Sequence, residues 1–125
     1  MIETERLILR AFEPRDRDAF VAINQDEQVM QHFPSLYSAA KTDQMLAAFA
    51  ARQKAFGYAF SAIERQSDGA LIGMAGLSRL ETSATFAPCT EIGWRLTPSA
   101  WGQGFATEAA IAWLNFGFKN LKLKD

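Results

Sequence analysis

Two apolar runs joined by a tight turn, the first of them alternating, set the strongest limit on the fold of this chain. In residues 58–64, Tyr58, Phe60 and Ala62 fall on one face and Ala59, Ser61 and Ile63 on the other. Residues 70–80 form a second long run, and Ser67-Asp68-Gly69 between them is a turn signal. The pair reads as an antiparallel hairpin. Parallel strands require a crossover of a dozen or more residues, so this segment argues against a doubly wound parallel sheet. Gly73 and Gly76 lie inside the second strand, where glycine is costly. They point to a bulge, to close backbone approach or to tight helix packing.

The remaining elements are short and mixed. Residues 6–12 read as a first strand, apolar and flanked by charge. Glu13-Pro14 opens a helix, with Asp16 and Asp18 suited to its positive end and Ala19, Phe20 and Ile23 on its apolar face. Asp26 can cap a short turn carrying Val29, Met30 and Phe33. Residues 38–56 form the clearest helix by period, through Met45, Leu46, Phe49, Gln53 and Phe56, and Gly57 follows as a stop. Residues 81–88 read as a polar loop and residues 90–96 as a further strand. A turn-rich connection then leads into a helix over 106–118, with Ala106, Ala109, Ala110, Trp113 and Gly117 on one side. The order predicts an α/β (α+β) fold with a mixed, mostly antiparallel sheet flanked by helices.

Composition narrows the function classes. With 125 residues, 49% of them hydrophobic, the chain is expected to form one domain, residues 1–125, without a disulfide or metal staple. The 13 Lys and Arg against 14 Asp and Glu argue against a strongly basic nucleic-acid binder. No apolar run approaches a membrane span and the first residues do not form a signal peptide, so a cytoplasmic protein is expected. Cys89 is the single cysteine, which excludes an internal disulfide, and it reads as a small residue at a strand start. His32 is the single histidine, too few for a zinc cluster, and no Gly-x-Ser-x-Gly turn presents a serine.

The stretch that bears on chemistry runs from Ile92 to Ala109. It is a strand, a glycine-containing loop (Trp101-Gly102-Gln103-Gly104-Phe105) and a helix start. A helix N-terminus offers free amides and partial positive charge, and glycines let a ligand approach the backbone. Small residues such as Ala106 leave room beside the first turn. The pattern fits an anion cradle suited to a pyrophosphate, and it also fits a loop that simply ends a strand. No Lys or Arg occurs between Thr97 and Phe118, so backbone amides would have to hold any phosphate there. A dinucleotide fingerprint fails at its third glycine, where Thr107 stands, and no Gly-Lys-Ser/Thr occurs.

Thr4-Glu5-Arg6-Leu7-Ile8-Leu9-Arg10, followed by Ile92-Gly93-Trp94-Arg95-Leu96 and Trp101-Gly102-Gln103-Gly104-Phe105-Ala106-Thr107-Glu108-Ala109, resembles the GCN5-related N-acetyltransferase (GNAT) superfamily, in particular its RimJ/RimL-like branch. The resemblance runs from Thr4 to Asp125 and implies an acetyl-CoA site. Backbone groups of Trp94, Arg95 and Leu96 would bind the pantetheine arm, and Gly102, Gln103, Gly104, Phe105, Ala106 and Thr107 would cradle the pyrophosphate. The family signature Arg/Gln-x-x-Gly-x-Gly/Ala appears here as Trp101-x-x-Gly104-x-Ala106. The aromatic residue is expected to cost a side-chain hydrogen bond and to leave the backbone cradle intact.

The implied chemistry is direct attack of a neutral amine on the thioester. Glu91 is the candidate base, directly or through water; it is also readable as an exposed strand-edge carboxylate. The Leu96 amide can polarise the thioester carbonyl. Arg95 can pair with Glu91, meet an acidic acceptor or stand solvated. Tyr58 and Phe60 can line the acceptor pocket or belong to the core. The family domain continues past this helix with a fifth strand and a helix bearing an Asn contact and a Tyr or Ser general acid. Residues 121–125 resemble the approach to that strand, so either a shortened domain or a homodimer completed through the open sheet edge is expected. The implied function is an acetyl-CoA-dependent N-acetyltransferase acting on a primary amine; a non-catalytic CoA-binding or interaction module is the alternative.

Overall fold

The hairpin forms as its turn chemistry predicts. Strand β3 (Phe60–Arg65) pairs antiparallel with β4 (Leu71–Leu80). The Arg65 amide donates to Ala70 O at 2.9 Å, and Asp68 Oδ1 accepts from the Ala70 amide at 3.1 Å. The computed structural model describes residues 2–31, 33, 35–80 and 89–119. Around the hairpin stand β1 (Ile2–Glu3), β2 (Leu7–Arg10), α1 (Arg17–Asn24), α2 (Ala39–Phe56), β5 (Cys89–Leu96) and α3 (Phe105–Lys119). The 3-10 turns Pro14–Asp16 and Pro98–Ala100 precede α1 and α3. The described sheet runs β1-β2-β3-β4-β5, with every neighbouring pair antiparallel.

The glycines of β4 answer to geometry. The register passes from Ile63 opposite Gly73 to Glu64 opposite Leu71, so Ile72 is an extra residue. The bulge switches the side-chain alternation. Leu71 and Met74 face the α1/α2 side, whereas Ile72, Ala75 and Leu77 join the core under α3. A Cβ at Gly73 would lie 2.0 Å from Arg95 O, and one at Gly76 would lie 2.4 Å from Ala59 O. Both positions therefore require a residue with no side chain, one for β5 to come close and one for β3. Bulge and close approach hold together; helix packing is not the cause.

Each sheet face carries its own core. Under α3 lie Leu7, Leu9, Ile63, Leu96, Phe105, Ala109 and Trp113. Under α1 and α2 lie Phe20, Phe49, Ala59 and Met74, with the Phe12 ring tilted against Phe20 at 4.8 Å between centroids. Burying side chains of this size contributes about 2 kcal/mol each. The Ser38 hydroxyl caps α2 by accepting from the Lys41 amide at 3.1 Å, and Gly57 ends it. Helix α3 turns Ala109, Trp113 and Gly117 inward, while Ala106 and Ala110 are only partly buried.

Three expectations change. A short strand, β1, precedes the first predicted strand and pairs with it. That strand is only Leu7–Arg10, because Phe12 leaves the ladder to pack against Phe20. The Glu13-Pro14 start is a 3-10 turn in which the Glu13 amide donates to Asp16 Oδ2 at 2.7 Å. Asp16 also receives both nitrogens of the Arg10 fork, at 2.7 and 2.9 Å, and Arg10 Nε reaches Glu64 at 2.9 Å.

Asp16 is buried. Burial raises its pKa, but the hydrogen bonds from Arg10 and the Glu13 amide outweigh this and hold it below the ordinary carboxylate value. A carboxylate with a depressed folded pKa stabilises the fold above its unfolded pKa, and that contribution disappears as pH falls through the folded value. Asp16→Asn is expected to cost about 3 kcal/mol at pH 7 and to flatten the acid limb of stability against pH. Urea unfolding from pH 7 to pH 2 measures both.

Candidate active site

A cleft of about 530 Å³ opens where β5 meets the start of α3. Trp94, Arg95, Leu96, Gly102, Gly104, Phe105, Ala106 and Thr107 line it, together with Ala100, Trp101, Val29 and Phe33. Every predicted cofactor residue except Gln103 is therefore brought to one place. The Gln103 side chain turns back to donate to Ser99 O at 2.8 Å. Tyr58 and Phe60 are not among the lining residues: Tyr58 is buried on the α3 side, and Phe60 packs edge-on against Phe49. Glu91 stands in β5 opposite Ser78; its side chain lies outside the described residues, as does His32.

The edge of β5 has a definite polarity. The amide of Thr97, one residue past the strand, donates to Ile72 O at 2.8 Å. Backbone groups alternate in direction along a strand, so those of Arg95 also point toward β4 and those of Trp94 and Leu96 point away from it. The Leu96 carbonyl confirms this, because it accepts from Trp101 Nε1 at 3.0 Å. Trp101 therefore makes a side-chain hydrogen bond, contrary to the expectation that an aromatic residue forfeits one. The bond ties the loop to the strand.

The loop itself turns through two left-handed residues, Gly102 at φ 74° and Gly104 at φ 80°. A Cβ at Gly102 would meet nothing within 4 Å, so conformation and not space requires glycine there. The Glu108 amide closes the first helical turn by donating to Gly104 O at 3.0 Å. The amides of Phe105, Ala106 and Thr107 precede it and have no intrahelical acceptor. Their residues line the cleft at the positive end of the helix.

The turn between β1 and β2 holds this loop from behind, through residues 97 to 104 positions away in sequence. The Arg6 amide donates to Glu108 Oε2 at 2.9 Å, Arg6 Nε to Glu108 Oε1 at 2.7 Å and Arg6 Nη1 to Gln103 O at 2.8 Å. The Thr4 hydroxyl also donates to Glu108. The Arg6 guanidinium lies 4.3 Å from the centre of the Phe105 ring. Burial raises the Glu108 pKa, and the hydrogen bonds from Thr4 and Arg6 more than reverse this, leaving it below the ordinary value. The motif reading contained Thr4, Arg6 and Glu108 but gave them no role. It also placed no cation at the loop, whereas Arg6 stands against it with its charge matched by Glu108.

Comparison with known proteins gives this geometry its family. The family profile of the acetyltransferase (GNAT) domain matches residues 6–125, and the chain belongs to that family. Two Bacillus subtilis relatives, the uncharacterized N-acetyltransferases YoaA and YnaD, are 32% and 30% identical to it. Each match covers 98% of this chain and 69% or 68% of the relative. Among solved structures, an acetyltransferase from Agrobacterium tumefaciens superposes with a TM-score of 0.81 at 27% identity, over 98% of this chain and 68% of that one. A GNAT-family acetyltransferase from Bacillus anthracis gives 0.77 at 27% identity, with the same coverage. The domain is an acetyltransferase domain, and its family draws the acetyl group from acetyl-CoA.

The residues present fit that group: the loop amides suit a diphosphate, and the Trp94 and Leu96 edge suits an amide-bearing arm. Arg6→Met removes the clamp and its charge. It is expected to weaken CoA binding about tenfold and to leave binding of pantetheine, which lacks the diphosphate, unchanged. Isothermal calorimetry with the two ligands measures the difference.

Proposed function

We propose that this chain holds acetyl-CoA along the free side of β5 and transfers the acetyl group to a primary amine. The observation that supports this most directly is one cleft in which two left-handed glycines open a helix N-terminus beside outward-facing strand groups. Residues 102–107 would hold the diphosphate, and the polar groups of Trp94 and Leu96 would align the pantetheine arm as an added strand does.

The reaction forms one bond and breaks one. The amine nitrogen attacks the thioester carbonyl carbon, the carbon–sulfur bond breaks, the nitrogen gives up its second proton to solvent, and the departing thiolate takes one from solvent to become the thiol. The ammonium proton must leave before attack, and Glu91 accepts it directly or through a water. The outward amide of Leu96 would polarise the carbonyl oxygen.

The RimJ/RimL-like branch, which acetylates ribosomal-protein N-termini, is the subgroup we assign. A Vibrio cholerae structure described as a putative ribosomal-protein-serine acetyltransferase shares the fold at TM-score 0.75 and 22% identity. In this reading the chain acts without a metal and away from membranes. No helix among the described residues is long and apolar enough to cross one.

Two variants test the proposal. Gly104→Asp forces a side chain into the left-handed region and sets a carboxylate against the diphosphate. CoA affinity is expected to fall more than about a hundredfold, with the circular dichroism spectrum retained. Glu91→Gln is expected to lower kcat about a hundredfold and to leave CoA affinity intact. Thiol release against a panel of amines reads the second. Saturable CoA binding with no thiol release by the unaltered protein would instead assign a non-catalytic CoA-binding module.

A further inference from the structure

Arg95 is set apart from Arg10, another partly buried arginine among the described residues. Arg10 is saturated by Asp16 and Glu64, and Arg6, Arg15, Arg17 and Arg65 also each meet a carboxylate. Among the described residues Arg95 meets none. Its Nη1 donates to the amide oxygen of Asn24, a neutral acceptor. Its guanidinium lies over two rings, 4.9 Å from the centre of Phe33 and 5.5 Å from that of Tyr37. Burial lowers its pKa, partly countered by Tyr37. A guanidinium keeps its proton even so; Tyr37 also meets it with a side-chain hydrogen bond, and among the described residues no carboxylate compensates the desolvated charge.

The group is fixed as well as uncompensated. Asn24 is fully buried, and its Nδ2 donates to the hydroxyl of Thr42, also fully buried, at 3.0 Å. The Tyr37 amide donates to Asn24 O at 3.2 Å. Helices α1 and α2 therefore orient one edge of the Arg95 fork and leave its charge at the cleft that Arg95, Val29 and Phe33 line. The cleft has two ends on opposite faces of the sheet. The loop amides belong to the α3 face, and the Arg95 side chain belongs to the α1/α2 face.

Deepening the reading of the previous subsection, on which it rests, we propose that Arg95 receives a carboxylate carried by the acceptor amine, so that the acceptors are amines bearing an acidic group. A single planar fork packed against a pair of touching aromatic rings suits a singly charged carboxylate, which it can meet with parallel N–H bonds. The diphosphate of the coenzyme is served at the other end of the cleft. Arg95 is thus a specificity residue acting through its side chain, whereas its backbone faces β4.

The test compares each ω-amino acid from glycine to 5-aminopentanoate with its amide in thiol-release assays, using the unaltered protein, Arg95→Gln and Arg95→Lys. For at least one chain length the unaltered protein is expected to favour the acid over its amide by about tenfold or more in kcat/KM. Arg95→Gln should bring that ratio near one, and Arg95→Lys should restore part of it. CoA affinity of Arg95→Gln measured by calorimetry should stay within about twofold. No acid preference in the unaltered protein overturns the proposal, whether or not the variants fold. So does a loss of CoA affinity with the preference retained, because it would assign Arg95 to the coenzyme.

Should no amine be acetylated, the transferase reading fails and the anion site is still decided. Glutarate should shift the Arg95 Nε–H resonance saturably, identified by its absence in Arg95→Lys, and glutaramide should not. Equal responses to the two probes overturn the site.

Discussion

The Glu108 carboxylate is the joint on which the cleft depends. It lies in the first turn of α3, where negative charge already favours the helix end. It takes hydrogen bonds from the Arg6 amide, the Arg6 side chain and Thr4. One side chain thereby fixes the start of α3 to the turn that leads into β2. The second hand of Arg6 holds the Gln103 carbonyl, so the loop between strand and helix is gripped at both ends of its sharpest turn. Left-handed glycines permit this turn but do not impose it. The clamp supplies the imposition, and the Trp101 indole bond to Leu96 adds a third fixed point.

Preorganisation of this kind explains how a loop without its own Lys or Arg can present an anion site. Free amides at a helix end are useful only if they point together, and loose glycines would spend binding energy on being ordered. The clamp removes that cost before a ligand arrives. It also keeps the Arg6 charge close to the loop but balanced, so the field at the cradle comes mainly from the aligned amides. On the opposite sheet face the logic reverses. Asn24 and Thr42 orient Arg95 without neutralising it, and the charge stays available.

Much of this fold was legible in the sequence because its periods are clean. The hairpin, α2 and α3 agree with the alternation and helical spacing to within a residue or two. The two-residue strand β1 has no period to detect. The bulge at Ile72 was only half legible. Gly73 marked it, but which residue becomes extra depends on where β3 pairs, and no single strand carries that information. The cleft was legible as a local segment, since residues 94–96 and 102–107 are close in sequence. Its supports were not. Arg6 and Glu108 are 102 positions apart, and Asn24 reaches Arg95 across 71. Neither pair has a local signature, and only folding brings the members together.

The extra residue in β4 connects these observations. Without it Ile72 would fall on the face of Met74 and away from the α3 core. The switch keeps Ile72, Ala75 and Leu77 on the side of Leu96 and Phe105, while Met74, opposite Arg95, keeps the other side. Gly73 at the bulge lets the Arg95 carbonyl come close to β4. With that carbonyl committed inward, strand alternation sends the polar groups of Trp94 and Leu96 outward and the Arg95 side chain to the face of α1 and α2. A register slip of one residue in β5 would invert all three. It would turn inward the backbone edge proposed for the coenzyme arm, and it would carry the fork of Arg95 to the wrong side of the sheet. The glycine in a neighbouring strand thus sets the orientation of both ends of the cleft, although it carries no chemistry of its own.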